Sequence, residues 1–128
     1  MVLSPDGTRL YVANLATDTV SVINTALDAV IDTIPVGDGP RGLAIRPDGS
    51  RVYSANGNDD TVSVIDTAAG EAIDTLTVVA GGGPAAVRLT PDATQLYVSN
   101  QKKATVSVLD LAGGPVHSVS VGNGPRGI

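Results

Sequence analysis

An all-β fold of stacked propeller blades is predicted by three features of this sequence. The segment Pro5–Ile23 returns as Pro47–Ile65 and again as Pro91–Leu109. Tyr11, Tyr53 and Tyr97 are the only aromatic residues, one per copy, spaced by 42 and 44 positions. No copy shows helical periodicity; each is built of short apolar runs separated by turn residues. A period near 40 residues made of strands and turns marks a propeller blade.

Met1–Leu3 reads as part of a strand and Ser4–Thr8 as a turn, since Pro fixes φ and Gly accepts positive φ. Arg9–Asn14 follows as a strand apolar on both faces, Leu10 and Val12 on one side, Tyr11 and Ala13 on the other. Strands of that kind are covered on both sides. Leu15–Asp18 is a loop, and Thr19–Asn24 is a third strand of the same type. Ala29–Val36 is more polar and suits an outer edge, where Asp32 and Pro35 discourage pairing with a stray strand. The run 37–42, Gly-Asp-Gly-Pro-Arg-Gly, crosses to the inner strand of the next blade at Leu43–Ile45. The second copy repeats this with Arg51–Asn56, Thr61–Asp66, Glu71–Val78 and a glycine-rich crossover at 81–84. The third has Gln95–Asn100, Thr105–Asp110, Val116–Val121 and a crossover at 122–127. Residues 1–128 thus form one portion of a propeller, with four antiparallel strands per blade and blades near 1–42, 43–86 and 87–128.

Composition narrows the function. A net charge of −5 argues against a nucleic-acid partner, which needs clustered Lys and Arg. No apolar run approaches the roughly 20 residues that span a bilayer, and the start of the chain lacks a signal-peptide pattern. With no Cys, thiolate catalysis, thiolate metal sites and disulfides are excluded.

Tyr-Val-Ala-Asn at 11–14 and Tyr-Val-Ser-Asn at 97–100 resemble the signature of the YVTN-type β-propeller repeat; Tyr-Ser-Ala-Asn at 53–56 departs from it at the second position. The resemblance implies a propeller, commonly seven-bladed, of the kind found in surface-layer and other extracytoplasmic proteins. It says little of function, because one fold hosts scaffolds, binding modules and enzymes.

Three blades are too few for a ring, since propellers typically have four to eight. Met1, Leu43, Val87 and Ile128 share one phase of the repeat, so 127–128 and 1–3 read as two halves of one inner strand. The expectation is a ring closed by homo-oligomerisation: a homodimer of six blades, with a homotrimer of nine as the wider option. The bland alternative is a piece of a longer seven-bladed propeller.

Candidate ligand-binding residues fall on one loop face. Arg41 and Arg126 lie in crossovers that rim the central channel, with Ala85 at the matching place in the middle copy. Their guanidinium groups either bind a small anionic ligand bidentately or pair with neighbours such as Asp38. Asn14, Asn56 and Asn100 end equivalent strands and read as backbone-capping groups or ligand contacts. Asn58, Asp59 and Asp60 form an acidic loop without calcium-loop spacing, and the single His117 falls in an outer strand. No metal, cofactor or catalytic motif is visible. The expectation is therefore a non-enzymatic, self-assembling propeller module with a scaffold or binding role. The alternative, a hydrolase or lactonase-type propeller with its site in the channel, is disfavoured by nearly all-apolar inner strands, Val2, Leu43–Ile45 and Ala86–Leu89, where Arg88 is the exception.

Overall fold

A computed structural model describes residues 1–113 and 116–126. Twelve strands form three four-stranded antiparallel sheets, and none of the described residues is helical. The first sheet is β1 (Val2–Leu3), β2 (Arg9–Asn14), β3 (Thr19–Asn24) and β4 (Ala29–Pro35), paired in that order. The second is β5 (Pro40–Ile45), β6 (Arg51–Asn56), β7 (Thr61–Asp66) and β8 (Glu71–Thr77); the third is β9 (Pro84–Leu89), β10 (Gln95–Asn100), β11 (Thr105–Asp110) and β12 (His117–Ser120). The expected half-strand at 127–128 lies outside the described residues.

The core sits between sheets, not within one. Tyr11, Val20, Val22 and Ile34 of the first sheet meet Val52 and Ile65 of the second. Tyr53, Ala55, Val62 and Val64 on the other face of the second sheet meet Val87, Leu96, Val98 and Leu109 of the third. The middle sheet is therefore covered on both faces, as its two-sided apolar pattern predicts, and five of the six β6 residues are buried. Each such Val, Ile or Leu contributes about 1.5–3 kcal/mol when fully buried. The outer sheets are covered on one side only: Leu10 and Val12 of β2, and Tyr97, Val106 and Val108 of the third sheet, are half-buried.

The inner-strand bounds differ from the sequence reading. Inner strands β5 and β9 begin at Pro40 and Pro84, earlier than Leu43, because a proline is accepted as the first residue of a strand. The Tyr11 and Tyr53 side chains line open clefts between blades, and their hydroxyls take no backbone partner among the described residues. Edge strands β4 and β8 each carry a bulge, between the Val22/Ile23 and Val64/Ile65 pairings, which twists the exposed edge and blunts further pairing.

The Pro-Asp turns close on their own carboxylates. Asp6 Oδ1 accepts from the Thr8 N–H at 3.0 Å, from Ser4 Oγ at 2.7 Å and from Thr8 Oγ1 at 2.7 Å. The Thr8 N–H first, then the two hydroxyls, lower the Asp6 carboxyl from 3.8 to about 2. Asp48 and Asp92 shift the same way, led by the Ser50 and Thr90 hydroxyls. A depressed carboxylate stabilises the folded turn above its unfolded value and loses that contribution as pH falls through the folded one. An NMR titration should therefore place the Asp6 midpoint near pH 2, with the turn intact at pH 3.8. A midpoint at or above the unfolded value would contradict the turn geometry.

Candidate functional site

The strand order places β1, β5 and β9 at the inner edge, and the crossovers into β5 and β9 form one loop face at the end of the channel. Their geometry is set by two aspartates in the left-handed region. Asp18, at φ 58, accepts from the Gly39 N–H through Oδ1 at 2.8 Å, while its carbonyl accepts from the Val36 N–H at 3.0 Å. Asp60, at φ 61, accepts from the N–H groups of Gly83 at 3.0 Å and Gly81 at 2.7 Å. Asp tolerates this backbone region better than most residues because its side chain bonds locally. The Gly83 N–H, then that of Gly81, hold the Asp60 carboxyl below its ordinary range, and the Lys102 charge adds to this. From the other side, the Gly39 carbonyl accepts from the Gly57 N–H at 2.9 Å and that of Gly83 from the Gln101 N–H at 3.1 Å. Each of these crossovers is thus held by the blade it leaves and the blade it enters.

This double hold fixes Arg41. In the pairing of β5 with β6, Pro40 opposes Asn56 and Gly42 opposes Ala55, so Arg41 is the extra residue of a bulge. Bulges re-aim a side chain and are frequent beside functional sites. Arg41, expected in the crossover, is thus the second residue of the inner strand. Its guanidinium is exposed and makes no ion pair or hydrogen bond among the described residues. Two glycines make room for it. A Cβ on Gly57 would lie 2.5 Å from Arg41 Nε and 3.1 Å from the Pro84 carbonyl oxygen. A Cβ on Gly42 would lie 2.7 Å from the Ala85 carbonyl oxygen, so neighbouring inner strands approach closely here.

Arg126 is also exposed, but it is engaged: with the Gln101 amide turned so that its oxygen faces the guanidinium, that oxygen accepts from Nε and Nη2 at 3.2 Å each. Lys102 and Lys103 are exposed in the β10–β11 turn on the same loop face. Four of the eight cationic side chains therefore collect around the second and third blades at this end, whereas Asp38 lies in the first crossover and Asp59 and Asp60 in the β6–β7 turn. The inner strands below line a cavity of about 410 Å³ with Val2, Leu43, Ile45, Val87 and Leu89.

The three asparagines sit beneath this surface. Asn56 and Asn100 are fully buried, and Asn14 is half-buried. Each Nδ2 donates to two hydroxyls of the adjoining strand: Asn14 to Thr19 and Ser21, Asn56 to Thr61 and Ser63, Asn100 to Thr105 and Ser107. They tie β2, β6 and β10 to their neighbours. Asn56 Oδ1 also accepts from Ser54 Oγ at 3.2 Å, but Val98 replaces that serine in the third blade, and Asn100 Oδ1 has no partner. Asp59 Oδ2 accepts from the Asp38 N–H at 2.9 Å and its Oδ1 from the Thr61 hydroxyl, so the acidic loop's carboxylates are engaged within the protein. His117 is exposed on β12. From the sequence Asp18 was not singled out and Asp60 only as part of an acidic loop, although an Asp-Thr pair opening β3 and β7 was the available signal.

The family model described as "Lactonase, 7-bladed beta-propeller" matches residues 1–128. The chain belongs to this lactonase propeller family. The lactonase-family chain is also similar to the Kuenenia stuttgartiensis hydrazine synthase structure, with 27% identity and a TM-score of 0.90 over 98% of this chain and 36% of that one. A putative 6-phosphogluconolactonase from Bacteroides uniformis is 25% identical, with a TM-score of 0.81, over 98% of this chain and 41% of that one. The chain thus spans less than half the length of either structure. No curated protein sequence matches it.

These likenesses bear out the propeller and overturn the expectation of a non-enzymatic scaffold or binding module, in favour of the lactonase-type propeller weighed against it. The physical reason for the error is geometric. A site on a propeller axis collects a residue or two from each of several blades, so no compact constellation need appear in three repeats.

If Gly57 makes room for the Arg41 arm, Gly57→Ala should displace that arm and leave the fold in place. The Arg41 Nε signal should move in a nitrogen–proton correlation spectrum, with a loss of no more than about 1–3 kcal/mol in stability, as for one overpacked methyl. An unmoved signal would contradict the close approach.

Proposed function

We propose that these three blades are part of a lactonase-type propeller that hydrolyses an anionic lactone at the crossover end of its channel. The observation that carries this reading is the Arg41 guanidinium, without a partner among the described residues and held on a bulge of the inner strand in a lactonase-family chain. In lactone hydrolysis water adds to the ring carbonyl, negative charge gathers on its oxygen, and the ring C–O bond breaks to release a hydroxy acid. Arg41 meets that chemistry in one of two ways, by holding the substrate's anionic group bidentately or by stabilising the developing oxyanion. Arg126, Lys102 and Lys103 extend the positive field over the same face. The Asp18 and Asp60 carboxylates are committed to loop N–H groups, so the group that activates water is not assigned to them. The description of the Bacteroides uniformis neighbour as a putative 6-phosphogluconolactonase supports a phosphorylated sugar lactone as the substrate class. The asparagines are read as structural ties beneath the site, not as ligand contacts. The Tyr-Val-Ala-Asn and Tyr-Val-Ser-Asn segments, which occupy equivalent positions in β2 and β10, support reading the repeats as YVTN-type within this family.

The half-covered faces of the first and third sheets support a second proposal, that further blades pack on both. For the 128-residue chain, a second copy supplies them, giving six blades against the family's seven.

Hydrolysis of 6-phosphogluconolactone, followed by titration of the acid released, tests the activity. Arg41→Ala in the assembled propeller should lower kcat/KM by about ten- to a hundredfold, the scale of a lost charge-assisted hydrogen bond. If Arg41 holds the phosphate, the loss should be smaller for the unphosphorylated lactone and should shrink as salt rises. Equal loss for both lactones would assign Arg41 to the oxyanion, and no turnover of either would overturn the lactonase reading.

Light scattering tests the assembly. Two chains per particle are expected, with a melting temperature that rises with protein concentration. A well-folded monomer at micromolar concentration would remove the second copy.

A further inference from the structure

The sequence contains two Asn-Gly pairs, Asn56-Gly57 and Asn123-Gly124. Such a pair can cyclise. The glycine backbone nitrogen attacks the asparagine Cγ, ammonia leaves, and a five-membered succinimide forms; water then opens either carbonyl to give aspartate or isoaspartate. Glycine favours the reaction because no Cβ crowds the attacking nitrogen. What decides the rate in a folded protein is whether the side chain and that nitrogen are free to meet.

The two pairs sit in opposite circumstances. Asn56 is fully buried, with both ends of its amide hydrogen-bonded to Ser54, Thr61 and Ser63. The Gly57 N–H donates to the Gly39 carbonyl at 2.9 Å. Asn123 is exposed, and neither it nor the Gly124 N–H has a hydrogen-bond partner among the described residues.

The reason is a single substitution in the repeat. The first crossover, Gly37-Asp38-Gly39, aligns with Gly122-Asn123-Gly124 in the third, and Asp18 captures the Gly39 N–H. The residue matching Asp18 and Asp60 in the third blade is Ala104, at the same left-handed φ of 53 but with no carboxylate. The Val121 N–H still donates to the Ala104 carbonyl at 2.8 Å, so the backbone is in place and only the side-chain hold is lost. In the first two crossovers that hold comes from the blade the chain is leaving. Packing of a further blade therefore does not supply the hold on the Gly124 N–H; what the entered blade adds at the first crossover is Asn58 and Asp59 bonded to Asp38, and in the second copy proposed above Ala16 and Thr17 stand in those places.

From this we infer that Asn123 is a site of spontaneous succinimide formation, modified in the folded protein while Asn56 is protected. The product carries one additional negative charge, three residues before Arg126. Conversion to aspartate would restore the Gly-Asp-Gly-Pro-Arg sequence of the first crossover, whereas isoaspartate would lengthen the backbone by a methylene. The inference does not depend on what the channel binds.

The test is peptide mapping of the folded protein during incubation at mildly alkaline pH, with isoaspartate counted at both sites. Asn123 should react about a hundredfold faster than Asn56, corresponding to a local opening free energy of about 3 kcal/mol at the buried site. In urea the two rates should converge, since both are then Asn-Gly in open chain. Acidic charge variants should build up in step with the Asn123 product and be absent from Asn123→Gln, whose longer side chain forms the ring poorly. Ala104→Asp should slow the reaction at Asn123 by capturing the Gly124 N–H and leave Asn56 unchanged. Equal rates at the two sites in the folded protein, or a stable Asn123, would overturn the inference. No slowing in Ala104→Asp would refute the role given to the missing carboxylate.

Discussion

A blade in this fold has two apolar faces, and neither can be left in water without cost. The middle sheet satisfies the constraint completely: Val52 and Ile65 pack to one side, Tyr53 and Val64 to the other. Everything else follows from the need to stack sheets in that way. The strands alternate small and β-branched residues because a face-to-face contact needs even thickness. The Pro-Asp turns are short and closed by their own carboxylates, which fixes the register of the strands they join. Stability is then close to a sum of intrinsic blade terms and nearest-neighbour contacts.

Stacking also determines where chemistry is possible. The facing sides of the sheets are occupied by packing and the outer edges of the first two are bulged, leaving the inner edge and its loops as the surface where polar groups converge. The crossover is the one connection that must join two sheets, and here aspartates on one side and backbone N–H groups on the other clamp it. A guanidinium mounted at that point is held by its backbone and kept free at its tip, as Arg41 is. Preorganised charge of this kind acts without reorganisation when a substrate arrives.

Most of the fold was legible because it is periodic. Three in-phase tyrosines, the Pro-Asp turns and the Thr-Val-Ser-Val runs locate ten of the twelve strands with little error. The starts of β5 and β9 were not legible, since a strand beginning at proline depends on the bulge opposite Asn56 and Asn100. The place of Arg41 depended in turn on Gly42 and Gly57, whose importance lies in neighbours distant in sequence. Function was the least legible. Apolar inner strands such as Leu43–Ile45 look empty of chemistry when read alone, although a ring can concentrate contributions from several blades at its axis.

The three blades are alike in shape but unequal in reinforcement. The strand-end asparagine of the second blade is fully bonded, while Asn100 keeps a buried oxygen without a donor, a deficit of about 1–3 kcal/mol. The third blade also lacks the carboxylate that clips the other two to their outgoing crossovers. Val98 stands where the second blade has Ser54 and the first has Val12, and Ala104 stands where they have Asp60 and Asp18. Side-chain reinforcement is thus greatest in the second blade and least in the third. Local opening is therefore expected first in the third blade.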